Sequence, residues 1–519
     1  MNGADSLLAT LDHNGVTTCF ANPGTSEMHF VAALDGTPAV RGVLGLFEGA
    51  VTGAADGYGR MADQPAATLL HLGPGLSNGL SNLHNALRAH SPVVNVIGDH
   101  ASYHRDLDAP LSSDIEGTAR PFSHWVRTSI DEHALTTDVA DAVTVARRGQ
   151  VASLILPADA AWNELPAAVS PTTAQPAPLP VIDELAVESA AHSLVEAGSR
   201  GAILMGGRTP REDALEAAGR IATATGATVL TSTFSPRVTR GAGRYAAMKV
   251  PYAVDPAQEL FAQFDTIVLV GEKPPVAFFA YPTKRSTLYQ PDTRFIDLSP
   301  ETPRADIPLT AVLEALPQVV RAKAASVQLT DLALPQRPTG AITAEKLGTF
   351  IAEAIPENAI VVDESITTGW NFNAATASAR PHDWINVTGG SIGWAMPVAL
   401  GAAIACPDRK VVTFESDGSG MYMPQTLWTQ AREGVDVVTL ILANRKYQIL
   451  RNEMSNVGVD VVGETAAKLL DIDRPTIDWV SVARGFGVPA ERAETMEALG
   501  AAYDRALATE GPALIEVVL

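Results

Sequence analysis

The sequence contains little cysteine, no long apolar run and no cluster of basic residues. Only Cys19 and Cys406 occur among its 519 residues, which argues against a disulfide framework and favours a reducing compartment. We therefore expect a cytoplasmic protein. No apolar run reaches the roughly 18 residues that a transmembrane helix needs. The net charge is −21 and the Lys and Arg residues are dispersed, so nucleic acids and membranes are poor candidate partners.

The composition is that of a globular protein with a large core and several domains. Hydrophobic residues make up 46% and charged residues 18% of the chain, as in soluble domains, and the length suits two to four of them. Residues 166–181 and 334–339 are rich in proline without periodicity and are predicted linkers. They divide the chain into three predicted domains, 1–165, 182–332 and 340–519.

Each predicted domain alternates short apolar runs with glycine-containing turns and helical patterns. The clearest example is residues 409–449, where two apolar strands at 411–414 and 435–443 enclose a predicted helix that ends at Gly434. This is a βαβ unit of a parallel sheet that is buried on both faces. The predicted fold class is therefore α/β, with three doubly wound parallel-sheet domains.

Two oxygen-bearing side chains follow the strands of that βαβ unit. Asp417 and Asn444 come just after the carboxyl ends of the two strands, where doubly wound sheets bind ligands. The amides of Gly418 and Ser419 begin a helix, and a helix N-terminus attracts phosphate. Hard oxygen ligands beside phosphate suit Mg²⁺, so we predict a Mg²⁺–diphosphate site. The alternative is that Asp417 only caps the helix.

A single carboxylate lies among apolar residues near the N-terminus. Glu48 follows the predicted strand 41–46, and a helix rich in Gly and Ala follows it. A carboxyl group held away from water is a candidate proton carrier near neutral pH. The alternative is a helix-start glutamate that the helix dipole favours.

Three histidines also follow predicted strands. His71 comes after strand 67–70, and His100 comes after strand 93–97 with His104 close by in sequence. The strand-end position favours a functional role for His71, and a structural histidine is the alternative. His100 and His104 are further candidates for a substrate pocket, and solvated histidines on a surface loop are the alternative. Gly73 and Gly75 are predicted to let the backbone approach a ligand, and Asn78 is predicted to begin a helix over 79–89.

Three segments together resemble the thiamine-diphosphate (ThDP) dependent 2-oxo acid enzymes. The run Asp-Gly-Ser at 417–419, with Asn444 placed 27 positions after Asp417, is similar to that family's Gly-Asp-Gly-Ser…Asn motif, although Ser416 replaces the first glycine. Residues 47–58 (FEGAVTGAADGY) resemble the glutamate segment of the benzoylformate decarboxylase and acetolactate synthase group. Residues 389–397 (GGSIGWAMP) resemble the aminopyrimidine segment.

The resemblance implies a role for individual residues. Glu48 would bind N1′ of the aminopyrimidine, the Gly390 carbonyl would accept its 4′-amino group, and Ile392 would wedge between the two rings. Asp417, Asn444 and the Lys446 carbonyl would hold Mg²⁺. Further cofactor contacts are assigned to Asn22, Gly24, Gly418 and Ser419. Thr367 and Thr368 follow the predicted strand 360–362, and small hydroxyls at a helix start donate to phosphate, so we predict that they contact the diphosphate; N-capping alone is the alternative. His71 and His100 would manage protons, and His71 falls where benzoylformate decarboxylase has an active-site histidine.

The resemblance also implies the reaction and the assembly. A 2-oxo acid would lose CO₂, and the remaining fragment would join a second carbonyl compound to give an acyloin, as in acetolactate synthase. The alternative is a simple decarboxylase that releases an aldehyde. In this family the domains that carry Glu48 and Asp417 meet across a subunit interface, which implies a homodimer or homotetramer.

Two features separate this chain from parts of the family. The second active-site histidine of benzoylformate decarboxylase should fall near residues 278–282, where the sequence is FFAYP. Together with Ser416, its absence motivates a third hypothesis, a non-catalytic binding or regulatory subunit. Residues 233–237 are more similar to benzoylformate decarboxylase than to acetolactate synthase, so we expect no FAD.

Overall fold

The computed structural model describes residues 1–165, 169–298, 303–459 and 461–519. The chain forms three sheets in which parallel pairing predominates, and helices cover each sheet. This confirms the predicted α/β class.

The first sheet is built entirely from residues before position 166, and all of its pairings are parallel. Its strands are β1 (Thr18–Asn22), β2 (Arg41–Leu44), β3 (Ala66–Leu70), β4 (Val93–Asp99), β5 (Trp125–Thr128) and β6 (Val151–Pro157). Its helices are α1 (Gly3–His13), α2 (Met28–Leu34), α3 (Glu48–Ala62), α4 (Leu72–Ala89), α5 (Ile115–Ala119), α6 (Leu135–Arg147) and α7 (Ala158–Trp162). The strand order is β2-β1-β3-β4-β6-β5.

The second sheet lies in the middle of the chain and has five strands. The strands of this region are β7 (Gly201–Met205), β8 (Thr228–Thr231), β9 (Val238–Arg240), β10 (Met248–Lys249), β11 (Thr266–Val270) and β12 (Arg294–Asp297). Its helices are α8 (Glu184–Ala197), α9 (Glu212–Thr225), α10 (Val254–Phe261), α11 (Asp306–Ala315) and α12 (Gln318–Arg321). The order is β10-β8-β7-β11-β12, so β9 belongs to another sheet.

The third sheet has seven strands and takes β9 from the middle of the chain. Its own strands are β13 (Ala359–Asp363), β14 (His382–Asn386), β15 (Val411–Ser416), β16 (Val437–Ala443), β17 (Ala490–Ala493) and β18 (Ala513–Val518). Its helices are α13 (Ala344–Ala354), α14 (Phe372–Ala375), α15 (Ala395–Ala405), α16 (Asp417–Gly420), α17 (Thr426–Glu433), α18 (Gln448–Asn456), α19 (Glu464–Ala467), α20 (Trp479–Gly485) and α21 (Met496–Ala508).

The order of the third sheet is β17-β18-β16-β15-β13-β14-β9, and only β9 runs antiparallel to its neighbour. This pairing joins the middle region to the last sheet through the backbone.

Helices α3 and α15 join the first and third sheets into one hydrophobic core. Apolar residues of α3, such as Ala54, pack with residues of α15, such as Val398. The backbones of the two helices are in close contact at Gly401. A Cβ added to this residue would lie only 1.8 Å from the Ala54 carbonyl oxygen. Only glycine fits at this crossing.

A buried ion pair fixes α3 against the third sheet. The Arg60 guanidinium donates to both carboxylate oxygens of Asp56 at 2.8 and 2.7 Å, and to the Asn386 carbonyl at 2.7 Å. Asp56 also accepts from the Trp394 indole N–H at 2.9 Å. Every charge in this buried group therefore has partners, as a buried ion pair requires.

Candidate active site

Four loops of the third sheet meet along one edge. Strands β16, β15, β13 and β14 are neighbours and run parallel, so their carboxyl ends point the same way. The loops after them carry the predicted cofactor and metal residues Thr367, Thr368, Gly390, Ile392, Asp417, Gly418, Ser419, Asn444 and Lys446. We call this set the oxygen-rich edge.

Asp417 is the buried carboxylate of the oxygen-rich edge. It is 3% exposed, and its Oδ2 accepts from the Arg445 amide at 2.7 Å while its Oδ1 accepts from the Gly418 amide at 3.0 Å. The Arg445 contact depends on a left-handed backbone at that residue, φ +59°. Burial raises the pKa of Asp417 to about 6, and the hydrogen bonds from the Arg445 and Gly418 amides only partly offset this.

The donor set around Asp417 fits a hard divalent cation. Asn444 lies on the loop of the neighbouring strand, and its side-chain oxygen accepts from the Lys446 amide at 3.1 Å. A carboxylate, an amide oxygen and a carbonyl are the ligand types that Mg²⁺ takes with phosphate. In the described ranges, no group of three or more His, Cys, Asp or Glu residues could hold a metal. A cation at this edge would therefore use amide and carbonyl oxygens beside Asp417.

Two buried glutamates that the sequence analysis missed connect the loops of this edge. Glu364 accepts from the amides of Gly393, Trp394 and Ala395 at 2.8–2.9 Å. Glu415 accepts from the Ser419 hydroxyl and lies against Glu364. Burial raises the pKa of both carboxyl groups, and the neighbouring Glu364 raises that of Glu415 further. The pair ties the Gly390–Ile392 loop to the Asp417 loop.

An aromatic cluster occupies the region where the second histidine was expected. Phe234, Tyr252, Phe278 and Phe279 pack with ring centroids 4.8–5.9 Å apart. Phe278 lies against Gly390, since a Cβ there would be 2.7 Å from its Cζ. The hydroxyl of Tyr281 donates to Glu453 of α18 at 2.7 Å. The wall beside the predicted pyrimidine position is therefore apolar.

A second candidate edge lies on the first sheet, and it carries acids and histidines. Strands β2, β1, β3 and β4 are adjacent and parallel, and the loops after them bring together Asn22, Gly24, Glu27, Glu48, His71 and His100. We call this set the acid–histidine edge. All of its members except Glu27 were predicted as site residues.

Glu48 is the first residue of α3 and is 6% exposed. The Asn78 amide of α4 donates to its Oε2 at 3.0 Å. Helix α4 begins at Leu72, so the predicted start after Asn78 is wrong and Gly75 lies in the first turn. A Cβ at Gly75 would be 3.2 Å from Glu48 Oε1 and 3.3 Å from His71 Cβ. This glycine lets the two side chains lie close together.

Glu27 is the residue of this edge that no sequence pattern singled out. It is 2% exposed, and its Oε2 accepts from the Gly24 amide at 2.7 Å and lies 2.8 Å from His71 Nδ1. Its Oε1 is buried and has no hydrogen-bond partner in the described part of the chain. Burial raises the pKa of Glu27, and His71 partly offsets this.

His100 and His104 lie together beyond β4, with ring centroids 5.3 Å apart. The His100 Nε2 is buried and has no partner among the described residues. The preceding Asp99 forms an ion pair with Arg105, Oδ2 to Nε 3.2 Å, and burial raises the pKa of Asp99. His100 thus has a nitrogen with unused hydrogen-bonding capacity at this edge.

Comparisons with known proteins identify the family. Residues 1–133 match the model described as thiamine pyrophosphate enzyme, N-terminal TPP binding domain, and residues 367–517 match the corresponding C-terminal TPP binding domain. A Mycobacterium tuberculosis protein with the provisional name acetolactate synthase large subunit IlvX is 46% identical, over 100% of this chain and 99% of its own. The chain belongs to the thiamine pyrophosphate enzyme family.

Two further relatives of this thiamine pyrophosphate enzyme are decarboxylases by name. The benzoylformate decarboxylase of Pseudomonas aeruginosa is 32% identical over 98% of this chain and 97% of its own. The solved structure of the Rhodococcus jostii RHA1 thiamine diphosphate-dependent 4-hydroxybenzoylformate decarboxylase has a TM-score of 0.85 at 23% identity, covering 99% and 98% of the two chains. The latter shows likeness of fold.

Membership of the thiamine pyrophosphate enzyme family confirms the resemblance and identifies the chain as an enzyme of that family with its two cofactor-binding domains. In the described part of the chain, every helix is too short or too polar to cross a bilayer. The predicted domain limits, the roles of individual site residues and the cytoplasmic location stay predictions.

Proposed function

We propose that this enzyme decarboxylates a 2-oxo acid with ThDP and Mg²⁺ and joins the product to a second carbonyl compound, giving an acyloin. The observation that supports this proposal is that the chain has two buried acids, each at the edge of a different sheet. One is the buried Asp417 with Asn444 beside it, and the other is the buried Glu48 held by Asn78. Bound ThDP would supply the electron sink for cleavage of the carbon–carbon bond.

The chain's own residues would then bind and orient the cofactor. Asp417, Asn444 and the Lys446 carbonyl would hold Mg²⁺, while the Gly418 and Ser419 amides with the hydroxyls of Thr367 and Thr368 would bind the diphosphate. The Gly390 carbonyl would accept a hydrogen bond from the 4′-amino group, and Ile392 would wedge between the two rings of the cofactor. Glu48 would hold a proton at N1′, and Asn22 and Gly24 would lie beside the pyrimidine. His71 and His100 would hold or move protons on the substrate.

The aromatic cluster favours the reaction of the decarboxylated product with a second carbonyl compound over its simple protonation to an aldehyde. The segment expected to provide a second histidine instead places the Phe278 ring against Gly390. A phenyl ring donates no proton, so this side of the site favours reaction of the product fragment with another carbonyl. The second candidate, a decarboxylase that releases an aldehyde, is supported by the name of the Pseudomonas aeruginosa relative. The buried and hydrogen-bonded Glu48 argues against a non-catalytic subunit.

A panel of 2-oxo acids separates these candidates. Purified enzyme with ThDP and Mg²⁺ is given pyruvate, 2-oxobutyrate or benzoylformate, and both CO₂ and acyloin are measured. We expect CO₂ and acyloin together from at least one acid. CO₂ with free aldehyde and no acyloin would favour the simple decarboxylase, and no CO₂ from any acid would favour the non-catalytic hypothesis.

We further propose that two copies of the chain complete each site, in a homodimer or homotetramer. Apolar side chains are exposed beside both edges of the single chain: Leu46 near Glu48, and Met421 and Tyr422 after the Asp417 loop are 40–52% exposed. Exposed apolar groups of this kind mark interfaces. The family resemblance places Glu48 of one chain opposite Asp417 of the other.

Co-expression of two inactive variants tests this assembly. Glu48→Gln and Asp417→Ala, carrying different tags, are purified together as a mixed oligomer. Sites shared between chains would restore about half of wild-type activity in the purified mixed dimer, because one of its two sites has both residues intact. Sites within one chain would leave the mixture inactive.

A further inference from the structure

A cavity of about 390 Å³ lies between the second and third sheets. Its lining includes residues of 231–249 on one side and of α14 and β14 on the other. Arg240 and Lys249 are cationic lining residues, and no carboxylate is among the described lining residues. Hydroxyl groups complete the polar surface, from Thr231, Ser232, Ser235, Thr239 and Tyr245. The volume is within the range of small-molecule sites.

Arg240 has unused hydrogen-bonding capacity at this cavity. Its guanidinium lies 5.3 Å from the centroid of the Trp384 ring, and its Nη2 donates to the Asn373 carbonyl. Its Nη1 is buried and has no hydrogen-bond partner in the described part of the chain. Burial lowers the pKa of Arg240 to about 10, and Asp363 only partly offsets this.

Lys249 is the second cation of the cavity and forms no ion pair with any residue that the structure describes. Its Nζ lies 6.0 Å from the centroid of the Phe234 ring, and burial, with Arg240 beside it, lowers the pKa of Lys249. The acid that acts on both cations is Asp363. Its carboxylate is already bound by Ser365, Trp384 and Asn386, and it approaches neither cation within ion-pair distance in the described residues.

We propose that this cavity binds a small organic dianion, a phosphate monoester or a dicarboxylate, at a site separate from the cofactor site. Arg240 and Lys249 line one cavity, and neither forms an ion pair among the described residues. This favours a ligand with two negative charges, since charge-assisted hydrogen bonds to such a ligand are strong. The aromatic cluster separates the two sites, because Phe234 lies between Lys249 and the Phe278 ring that touches Gly390.

An occupant would contact the strand that leads to the cofactor loop. Trp384 and Asn386 of β14 line the cavity, and Gly390 and Ile392 follow within six residues. A ligand that binds only the folded protein raises its melting temperature by mass action. Binding can therefore be measured without any assumption about turnover.

The test uses full-length protein saturated with ThDP and Mg²⁺, so that the diphosphate position is filled. Glycerol 3-phosphate and succinate are titrated separately, with sodium chloride at matched ionic strength as the reference, and Tm is recorded. We expect a saturable rise in Tm with at least one dianion and none with sodium chloride. The more effective of the two distinguishes a phosphate ester from a dicarboxylate.

Lys249→Met and Arg240→Met should each weaken the apparent affinity by about ten-fold or more, as truncation of a buried charge contact does. Lys323→Met, an exposed lysine away from the cavity, should behave as wild type. Arg240→Met also removes the contacts to Asn373 and Trp384 and can unfold the protein, so Lys249→Met decides. The proposal is overturned if neither dianion gives a saturable shift, or if Lys249→Met responds as wild type does.

Discussion

The Nδ1 atom of His71 lies 2.8 Å from the Oε2 atom of Glu27. This contact joins residues that are 44 positions apart, and it fixes the imidazole orientation because Glu27 is itself held by the Gly24 amide. The His71 Nε2 has no partner in the described ranges, so it is the nitrogen that is available at the acid–histidine edge. Glu27 is therefore a positioning residue for His71.

Glu27→Gln should reduce kcat by about ten-fold or more, with a smaller change in KM, because an incorrectly oriented histidine loses part of its acid–base contribution. The pH–rate profile of the variant should also change shape, which a purely structural effect would not cause. Glu188→Gln, an exposed glutamate, is the matched control. An unchanged kcat and profile in Glu27→Gln would remove Glu27 from the mechanism.

Asp417 predicts a pH-dependent response to cofactor. Its native pKa of about 6 lies above its ordinary value of 3.8, so the native state holds this proton more tightly than the unfolded state does. This proton contributes on the order of 3 kcal/mol to the free energy of unfolding. The contribution is present below about pH 4 and is lost as pH rises through 6. A bound divalent cation would compensate the charge.

The rise in Tm on adding ThDP and Mg²⁺ should therefore grow between pH 4 and pH 7, as followed by thermal melts. Asp417→Asn should reduce the rise at every pH, whereas Asp408→Asn, at an exposed position, should not. A rise that is independent of pH, or that Asp417→Asn retains, would contradict the assignment of Asp417 to the cation.

The Arg60–Asp56 pair predicts a large loss of stability on truncation. Arg60→Met leaves Asp56 buried without its cation, which costs about 3–5 kcal/mol. Arg120→Met is the matched control, since Arg120 also pairs with an acid four positions earlier but is 65% exposed. Its cost should be at most about 0.5 kcal/mol. Urea unfolding measures both free energies, and equal losses would show that burial does not set the cost.

Replacing Gly390 with a larger residue should weaken cofactor binding, because the added side chain would collide with its neighbours. Its backbone has φ +76°, and a Cβ would lie 2.7 Å from the Phe278 ring. Gly243→Ala isolates the backbone cost, about 1 kcal/mol, because that residue has φ +73° and nothing within 4 Å of the added Cβ. Gly390→Ala should weaken ThDP affinity in titration calorimetry, and Gly243→Ala should not. Equal affinities in both variants would remove Gly390 from the cofactor site.

The sequence sufficed for features that depend on the ends of neighbouring strands. Asp417 and Asn444 were placed together because each directly follows a strand of one βαβ unit, and β15 and β16 do pair in parallel. Glu48 stood out as a single acid among apolar residues, and its burial agrees with that pattern. Local pattern and topology are enough for such positions.

Features that depend on distant contacts were missed. Glu27 is buried by His71 and Gly98, which are far from it in sequence. Glu415 directly follows the apolar run 411–414, which was a usable signal, but Glu364 gained its role from the amides of residues 393–395. Helix α4 begins early, at Leu72, whose left-handed φ of +49° no sequence pattern indicates.

The proposed action of Glu48 on the bound cofactor can be measured as the rate of CO₂ release by Glu48→Gln. The 2-oxo acid that wild type turns over fastest is used, and ThDP binding is checked in parallel by its effect on Tm. We predict a loss of about 100-fold or more in a variant that still binds ThDP and Mg²⁺. A variant that binds the cofactor and releases CO₂ at the wild-type rate would show that Glu48 does not act on the cofactor.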